Sequence, residues 1–282
     1  RYIDRSSGEQ RDEVVYGGKA LTRLYIGPLR WLLPLIATSP LFSRLYGWIQ
    51  KKRWSRRKIA PFVARYDVDM SECPTPISQF GSFNDFFIRT IAKRTLADSD
   101  AIAPADGRYF AYQSIDEANA FFVKGIPETL HSIGAGAYSG GSLVIARLCP
   151  VDYHRFHFPC DCLPDRAIPT DGPLYSVSPI ALATDGSILW RNKRVTTHLT
   201  SDAFGDVLCI EVGATCVGTV TQTYEPGQQY KKGDEKGYFS FGGSCLLLLF
   251  LPGAITLDRD LVANTKSGLE TYVRMGDSLG NA

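Results

Sequence analysis

Apolar positions in the first fifty residues recur at helical spacing. Between positions 40 and 52, Leu41, Phe42, Leu45, Trp48 and Ile49 form one stripe, and Arg44, Lys51 and Lys52 lie off it. Ser39 followed by Pro40 supplies a cap and a first-turn proline, which predicts the start of this helix. An earlier piece, 21–33, carries Leu21, Leu24, Tyr25, Leu29 and Leu32 with Arg23 and Arg30 interleaved. Further along, Ser82 precedes Phe83, Phe86, Phe87 and Ile91, a short amphipathic helix over 82–91. From position 101 the pattern turns strand-like. Segments 142–148, 207–212 and 244–251 are short, apolar or alternating, and rich in Val, Ile, Leu and Phe. Turn pairs divide them: Asp106-Gly107, Asp171-Gly172, Asp185-Gly186, Pro226-Gly227 and Gly233-Asp234. The reading is an α+β chain: a mainly β, barrel- or sandwich-like domain over 67–282, preceded by N-terminal amphipathic helices over 1–66.

Charge sharpens that division. The 282 residues hold 31 Lys+Arg and 29 Asp+Glu, a net charge of only +2. Yet positions 14–66 carry eleven basic residues and no acidic one, which leaves 20 basic against 29 acidic residues elsewhere. Three of the four tryptophans, Trp31, Trp48 and Trp54, fall in the same basic stretch. Trp and Tyr favour the lipid headgroup level, and Lys and Arg are drawn to anionic lipid, so the combination suits helices lying in a membrane interface. The alternatives are a solvated basic face on helices that cover the fold, and nucleic acid. No helix-turn-helix or stacking-sheet signature accompanies the charge, so nucleic acid is not expected. The longest apolar runs, 31–37 and 245–252, fall far short of the roughly 20 residues a bilayer span needs. Positions 1–13 are polar and lack the apolar core of a signal peptide.

The seven cysteines are odd in number and scattered, which argues against a disulfide framework and for a reducing compartment. Only Cys160 and Cys162 are close, and their one-residue gap matches no usual zinc knuckle, so no metal site is expected.

Three local sequences carry candidate chemistry: Pro104-Ala105-Asp106-Gly107, the run from Asp152 to Pro159 (DYHRFHFP), and Phe241-Gly242-Gly243-Ser244. Together they offer a carboxylate, two imidazoles and a hydroxyl, the components of an activated nucleophile. Singly each is weak, since Asp-Gly is commonly a turn and a histidine among aromatics is commonly a core residue. A serine directly after two glycines and before Cys245 and four leucines sits where permissive backbone enters a buried strand, so Gly243 could present its carbonyl to Ser244 Oγ. His154 and His157 are three apart, which puts them on opposite faces of a regular strand, so one shared site requires a bend or bulge between 150 and 159.

These three motifs, with the Ser82-Phe83-Asn84-Asp85-Phe86-Phe87 segment, resemble the phosphatidylserine decarboxylases over nearly the whole chain, closest to the bacterial branch with a Gly-Gly-Ser cleavage site. The resemblance implies a proenzyme that cuts itself between Gly243 and Ser244. Asp106 would orient and charge His157, and His157 would take the proton from Ser244 Oγ. Attack on the Gly243 carbonyl, an N-to-O acyl shift, β-elimination and hydrolysis would leave a pyruvoyl cofactor at 244, a β chain of 1–243 and an α chain of 244–282. That group would form a Schiff base with phosphatidylserine and accept the electrons freed as CO2 departs, with His154 assisting and phosphatidylethanolamine as product. The implied assembly is a heterodimer of the α and β chains, with a dimer of these left open, peripheral on the cytoplasmic face of the inner membrane. Cys245 stands where the family commonly has Thr, which predicts slower cleavage if a hydroxyl assists there. Two rivals stay open: a pyruvoyl-dependent decarboxylase of a soluble amino acid, and a non-catalytic membrane-bound module of the lipoyl- or biotinyl-carrier kind, suggested by the glycine-spaced strands of 212–250. Against the second, Lys231 and Lys232 lack a carrier lysine's usual flanking residues.

Overall fold

The apolar run after Ser244 forms the strand Ser244–Phe250, buried along its whole length. Cys245, Leu247 and Leu249 enter one core, and Leu246, Leu248 and Phe250 enter another. A strand covered on both faces needs a continuous apolar run, and side chains alternating between faces supply both cores at once. Each of its four leucines and Phe250 gains about 1.5–3 kcal/mol from burial. A computed structural model describes residues 1–33, 35, 45, 47–121, 125–215, 219–240, 242 and 244–282.

This strand is central in a ten-stranded sheet. Ser142–Leu148 and Gly205–Gly213 flank it, both antiparallel. Beyond Ser142–Leu148 lie Gly107–Tyr112, Glu270–Val273, Tyr2–Asp4 and Gln10–Arg11; beyond Gly205–Gly213 lies Arg194–Ser201, which pairs with both Leu163–Pro164 and Ile168–Thr170. A three-stranded sheet of Val220–Gln222, Glu235–Phe239 and Arg155–His157 covers one face. Its Phe156 and Phe239 join the core that holds Leu246 and Leu248. The α+β class is as expected. The barrel alternative is corrected: the large sheet is open, running from Gln10–Arg11 to Leu163–Pro164, and the second sheet makes the arrangement sandwich-like.

Helix Phe83–Phe87 is shorter than the 82–91 expected, and Ser82 caps it by accepting a hydrogen bond from the Asp85 amide at 3.1 Å. Phe83, Phe86 and Phe87 pack with Ile59 and Phe62 of helix Ile59–Tyr66, so this third core runs across position 66. Farther upstream, helix Gly18–Tyr25 buries none of its residues. Trp31, Trp48 and Trp54 are 67%, 55% and 52% exposed. The expected helix start at Ser39 and Pro40, with Leu41, Phe42 and Arg44, lies outside the described residues.

Candidate active site

Ser244 is the first residue of the central strand, opposite Leu148 on one side and Gly213 on the other. By alternation it faces the same core as Leu246, on the side covered by the second sheet. The residue is fully buried, and its Oγ has no hydrogen-bond partner among the described residues. An unsatisfied buried hydroxyl costs about 1–3 kcal/mol, an expense more typical of reactive groups than of packing. Gly242 has φ 140°, a conformation only glycine adopts readily. The other half of the expected cleavage site, Gly243, lies outside the described residues, as does Phe241.

The histidine segment is irregular, the condition under which His154 and His157 could share one site. Residues 150–152 turn, with the Asp152 amide donating to the Cys149 carbonyl at 2.8 Å, and the strand begins only at Arg155. Across from it the register shifts: Glu235 faces His157 and Gly237 faces Phe156, so Lys236 is the extra residue of a bulge. Gly237 is required there, because a Cβ would lie 2.2 Å from the Thr221 carbonyl oxygen.

The two imidazoles part company at this bend. His154 is fully buried, with Phe87 against it at 3.8 Å between ring centroids. Its Nδ1 lies 3.0 Å from the Asp152 carbonyl oxygen, which can only accept, so Nδ1 carries the proton and Nε2 the lone pair. That Nε2 is buried without a hydrogen-bond partner, and the Gly242 backbone lies beside the ring. Burial, with a smaller push from the Arg89 charge, lowers its pKa to about 3, so the ring is neutral at ordinary pH. His157 is engaged at both nitrogens: Nδ1 donates to the Gly233 carbonyl at 2.8 Å, and Nε2 accepts from the Tyr153 hydroxyl at 3.1 Å. Burial lowers its pKa too.

Asp106 is held by the Arg94 guanidinium through both carboxylate oxygens and accepts from the Met275 amide at 2.7 Å. No hydrogen bond joins it to His157 among the described residues; its charge acts on that imidazole through space. Arg94 and the Met275 amide take up the Asp106 carboxylate here, and the Tyr153 hydroxyl occupies His157 Nε2, so Asp106 and His157 interact by charge alone in this arrangement. Of the imidazoles, His154 is the one beside Gly242 with a lone pair to offer. Cys245 is buried on the face opposite Ser244, with its Sγ directed to the Leu246 carbonyl, so its side chain is not beside the hydroxyl.

Several residues around the site had no motif to mark them. Arg147, next to Leu148, is nearly fully buried and pairs with Glu270 at 2.7 Å and with Glu13 at 2.6 Å. The Cys149 thiol also donates to Glu13 at 2.9 Å. Burial works to raise the Glu13 pKa, but the Arg147 charge and hydrogen bonds, the Arg108 charge and the Cys149 thiol together outweigh it and hold the carboxyl down at about 2. Asp152, paired with Arg108, goes the other way: burial pushes it up to about 6. The signal available for Arg147 was a lone charge interrupting an apolar strand. Glu13 also anchors the segment that roofs a cavity of about 200 Å³, lined by Val15, Tyr16, Leu21, Leu148, Val177 and Gly242. A second cavity of about 340 Å³ is polar, lined by Asp106, Arg94, Arg89, Asp152 and Tyr153 among others.

A buried serine hydroxyl and a neutral buried histidine at a glycine-flanked strand end are the parts of a self-processing enzyme, and comparison with known proteins narrows the class to the lyases. The family model described as phosphatidylserine decarboxylase matches residues 83–281. Similar proteins include the phosphatidylserine decarboxylase proenzymes of Chlamydia felis, 46% identical over 100% of this chain and 98% of the relative, and of Chlamydia pneumoniae, 44% identical over 100% and 97%. That of Clostridium beijerinckii is 41% identical over 98% of this chain and 97% of its own. The chain belongs to the phosphatidylserine decarboxylase family.

Proposed function

We propose that the chain removes CO2 from phosphatidylserine to give phosphatidylethanolamine, using a pyruvoyl group made from its own Ser244. The observation that carries this reading is the pair of buried atoms without partners among the described residues: Ser244 Oγ at the head of the central strand, and Nε2 of the His154 ring beside the Gly242 backbone. In the self-cleavage, His154 Nε2 takes the hydroxyl proton and Oγ attacks the Gly243 carbonyl. The amide C–N bond breaks as the ester C–O bond forms, and the freed nitrogen takes the proton. Loss of the Ser244 Cα proton then expels the Gly243 carboxylate, and water releases the nitrogen as ammonia, leaving a ketone. No external oxidant or reductant enters. Removing either proton needs a base free of other bonds, which favours His154 over His157.

Once formed, the pyruvoyl group supplies a sink for the electron pair freed as CO2 leaves. His154, fully buried and held by Asp152 and Phe87 beside the Gly242 backbone, is proposed to serve that position. Asp106 is proposed to keep the neighbouring polar wall charged and ordered, with Tyr153 and His157 bonded to each other behind it.

The 1–66 region is proposed to hold the enzyme peripherally on the cytoplasmic face of the inner membrane, and 67–282 to carry the catalytic groups. Among the described residues no helix is long and apolar enough to cross a membrane. The exposed tryptophans and basic residues suit an anionic surface, and a soluble amino acid as substrate would need neither. The mostly apolar cavity beneath 15–21 reaches Gly242 and offers a lipid a route from that surface.

The test is mass spectrometry of purified protein together with CO2 release from carboxyl-labelled phosphatidylserine in vesicles. Two fragments meeting at 243/244 and CO2 release are expected. Ser244→Ala should give an uncut, inactive chain, and His154→Ala should block cleavage while His157→Ala slows it less. A wild-type chain that never splits would defeat the pyruvoyl reading, and labelled free serine decarboxylated as well as the lipid would favour the soluble substrate.

A further inference from the structure

Strand Glu235–Phe239 belongs to the small sheet and strand Ser244–Phe250 to the large one, so residues 240–243 carry the chain across the sandwich. Packed sheets lie about 10 Å apart, and the stretch from 239 to 244 can reach about 17 Å, so chain length alone leaves this crossing slack. A buried polar cluster fixes its two ends relative to each other. Lys236 sends its ammonium from the small sheet to Glu211 Oε1 at 2.7 Å and Thr197 Oγ1 at 3.0 Å on the large one. Gln222, also of the small sheet, donates from Nε2 to Glu211 Oε2 at 2.9 Å, a third bond between the sheets. Glu211 lies opposite Leu246, two positions along from the Gly213–Ser244 pair, and by alternation on the same face as Ser244. The Lys236 and Glu211 side chains are both fully buried. A buried ion pair is often no more stabilising than apolar residues of the same volume, and its best-attested use is to fix register. Sliding one sheet along the other by a residue would break all three bonds, whereas apolar contact would tolerate the slide.

We propose that Lys236 and Glu211 are positioning residues for self-cleavage: their buried tie clamps the strand leading into 240–243 against the strand beside Ser244, and so sets how the crossing chain is presented to the Ser244 hydroxyl. The upstream end of the crossing is fixed to neighbours of the small sheet, where the Phe239 amide donates to the His154 carbonyl at 3.0 Å and the Ser240 amide to the Thr219 carbonyl at 3.2 Å. The downstream end is fixed to the large sheet, where Ser244 is paired with Gly213 and Leu148. Attacking hydroxyl and attacked chain therefore hang from different sheets, and the Lys236–Glu211 pair is a direct tie between those sheets. A misplacement of about 1 Å between reacting atoms costs about 10²-fold in rate, so even a small loosening of the tie slows the cut.

This inference rests on the self-cleavage reading, and two measurements separate them. Lys236→Met/Glu211→Gln removes the ion pair without stranding a charge. In the full-length Ser244 chain, followed over time by mass spectrometry, this double variant should split about tenfold more slowly than the parent. The charge swap Lys236→Glu/Glu211→Lys restores a tie between the sheets and should regain most of that rate. In the uncut Ser244→Ala chain, the double variant should raise amide hydrogen exchange about tenfold in peptides spanning 239–246 and leave 107–112 and 270–273 at the parent level. Cleavage of the double variant at the parent rate, or a folded swap no faster than the double variant, would overturn the proposal. Exchange unchanged over 239–246, or raised equally across the large sheet, would overturn it too. If the double variant does not fold, Thr197→Val and Gln222→Leu decide: each keeps the ion pair but removes one bond between the sheets, and each should slow cleavage about threefold, with parent rates in both counting against the clamp. A parent chain that never splits would sink the self-cleavage reading alone, and the exchange measurement would still judge the clamp.

Discussion

Lys236 offers the sharpest test of how the bulge opposite His157 is stabilised. As the extra residue between Glu235 and Gly237, it turns its side chain inward, where neither it nor Glu211 is exposed at all. The ammonium has three N–H bonds and finds three acceptors: Glu211 Oε1 at 2.7 Å, Gln222 Oε1 at 2.9 Å and Thr197 Oγ1 at 3.0 Å. Glu211 in turn accepts from Gln222 Nε2 at 2.9 Å and from the Cys209 thiol at 3.3 Å. Replacing Lys236 by Met keeps most of the volume but strands the carboxylate, and breaking a fully buried pair from one side costs about 3–5 kcal/mol. Total stabilities of about 5–15 kcal/mol make that a large loss. The double variant Lys236→Met/Glu211→Gln removes the stranded charge and should recover more than half of it. Urea unfolding in the uncut Ser244→Ala chain reads both values. A single-variant loss below about 1 kcal/mol, or a double variant no better than the single, would refute the argument that an isolated charge is what makes the change costly.

Two further predictions concern the entrance and the strand. Glu13 has its carboxyl held at about 2 against an ordinary 4.5, so its contribution is full above about 4.5 and is lost as pH falls toward 2; that gap corresponds to about 3 kcal/mol. Glu13→Gln should mimic the acid state at neutral pH and speed tryptic cutting at Lys19 and Arg23 about tenfold, since Arg147 keeps Glu270, and unchanged protection would count against the anchor. Cys245→Thr should not accelerate self-cleavage, because position 245 faces the core opposite Ser244. Its buried hydroxyl should instead cost about 1 kcal/mol in urea unfolding, and a cleavage rate several-fold above the parent would show that the hydroxyl reaches the site after all.

The strands were legible because their apolar runs were. Positions 142–148 come out as Ser142–Leu148, and 244–251 as Ser244–Phe250. Whether the sheet closes was not legible, since closure depends on pairing partners far apart in the chain; Tyr2 finds Glu270, which no local pattern announces. The bend at the histidines followed from simple counting, because a spacing of three cannot keep two side chains on one strand face. Their division of labour did not. The resemblance names His157 as the base, and nothing in the sequence says that a Tyr153 hydroxyl and a Gly233 carbonyl occupy its nitrogens here. Arg89, Glu13 and Lys236 were invisible for a related reason: a charged residue is ordinarily a surface residue, and only the tertiary structure reveals that these three are enclosed.

The placement of Ser244 at the head of the central strand bears on what self-cleavage can do to the fold. A cut before 244 frees a short chain that holds the middle strand of the large sheet, helix Arg259–Lys266 and the strands Glu270–Val273 and Ser278–Asn281. Its first strand is hydrogen-bonded on both sides along seven positions each, and its leucines fill both cores. Pulling that chain out would expose all of this surface, so cleavage alters covalent structure without releasing a fragment. A terminus made there would stay where the strand begins, paired with Leu148 and Gly213. A nucleophile on an outer strand could be cut equally well, but the resulting end would have no packing to hold it in the site. The same apolar run that betrays the strand in the sequence thus holds position 244 in place at the strand's buried head.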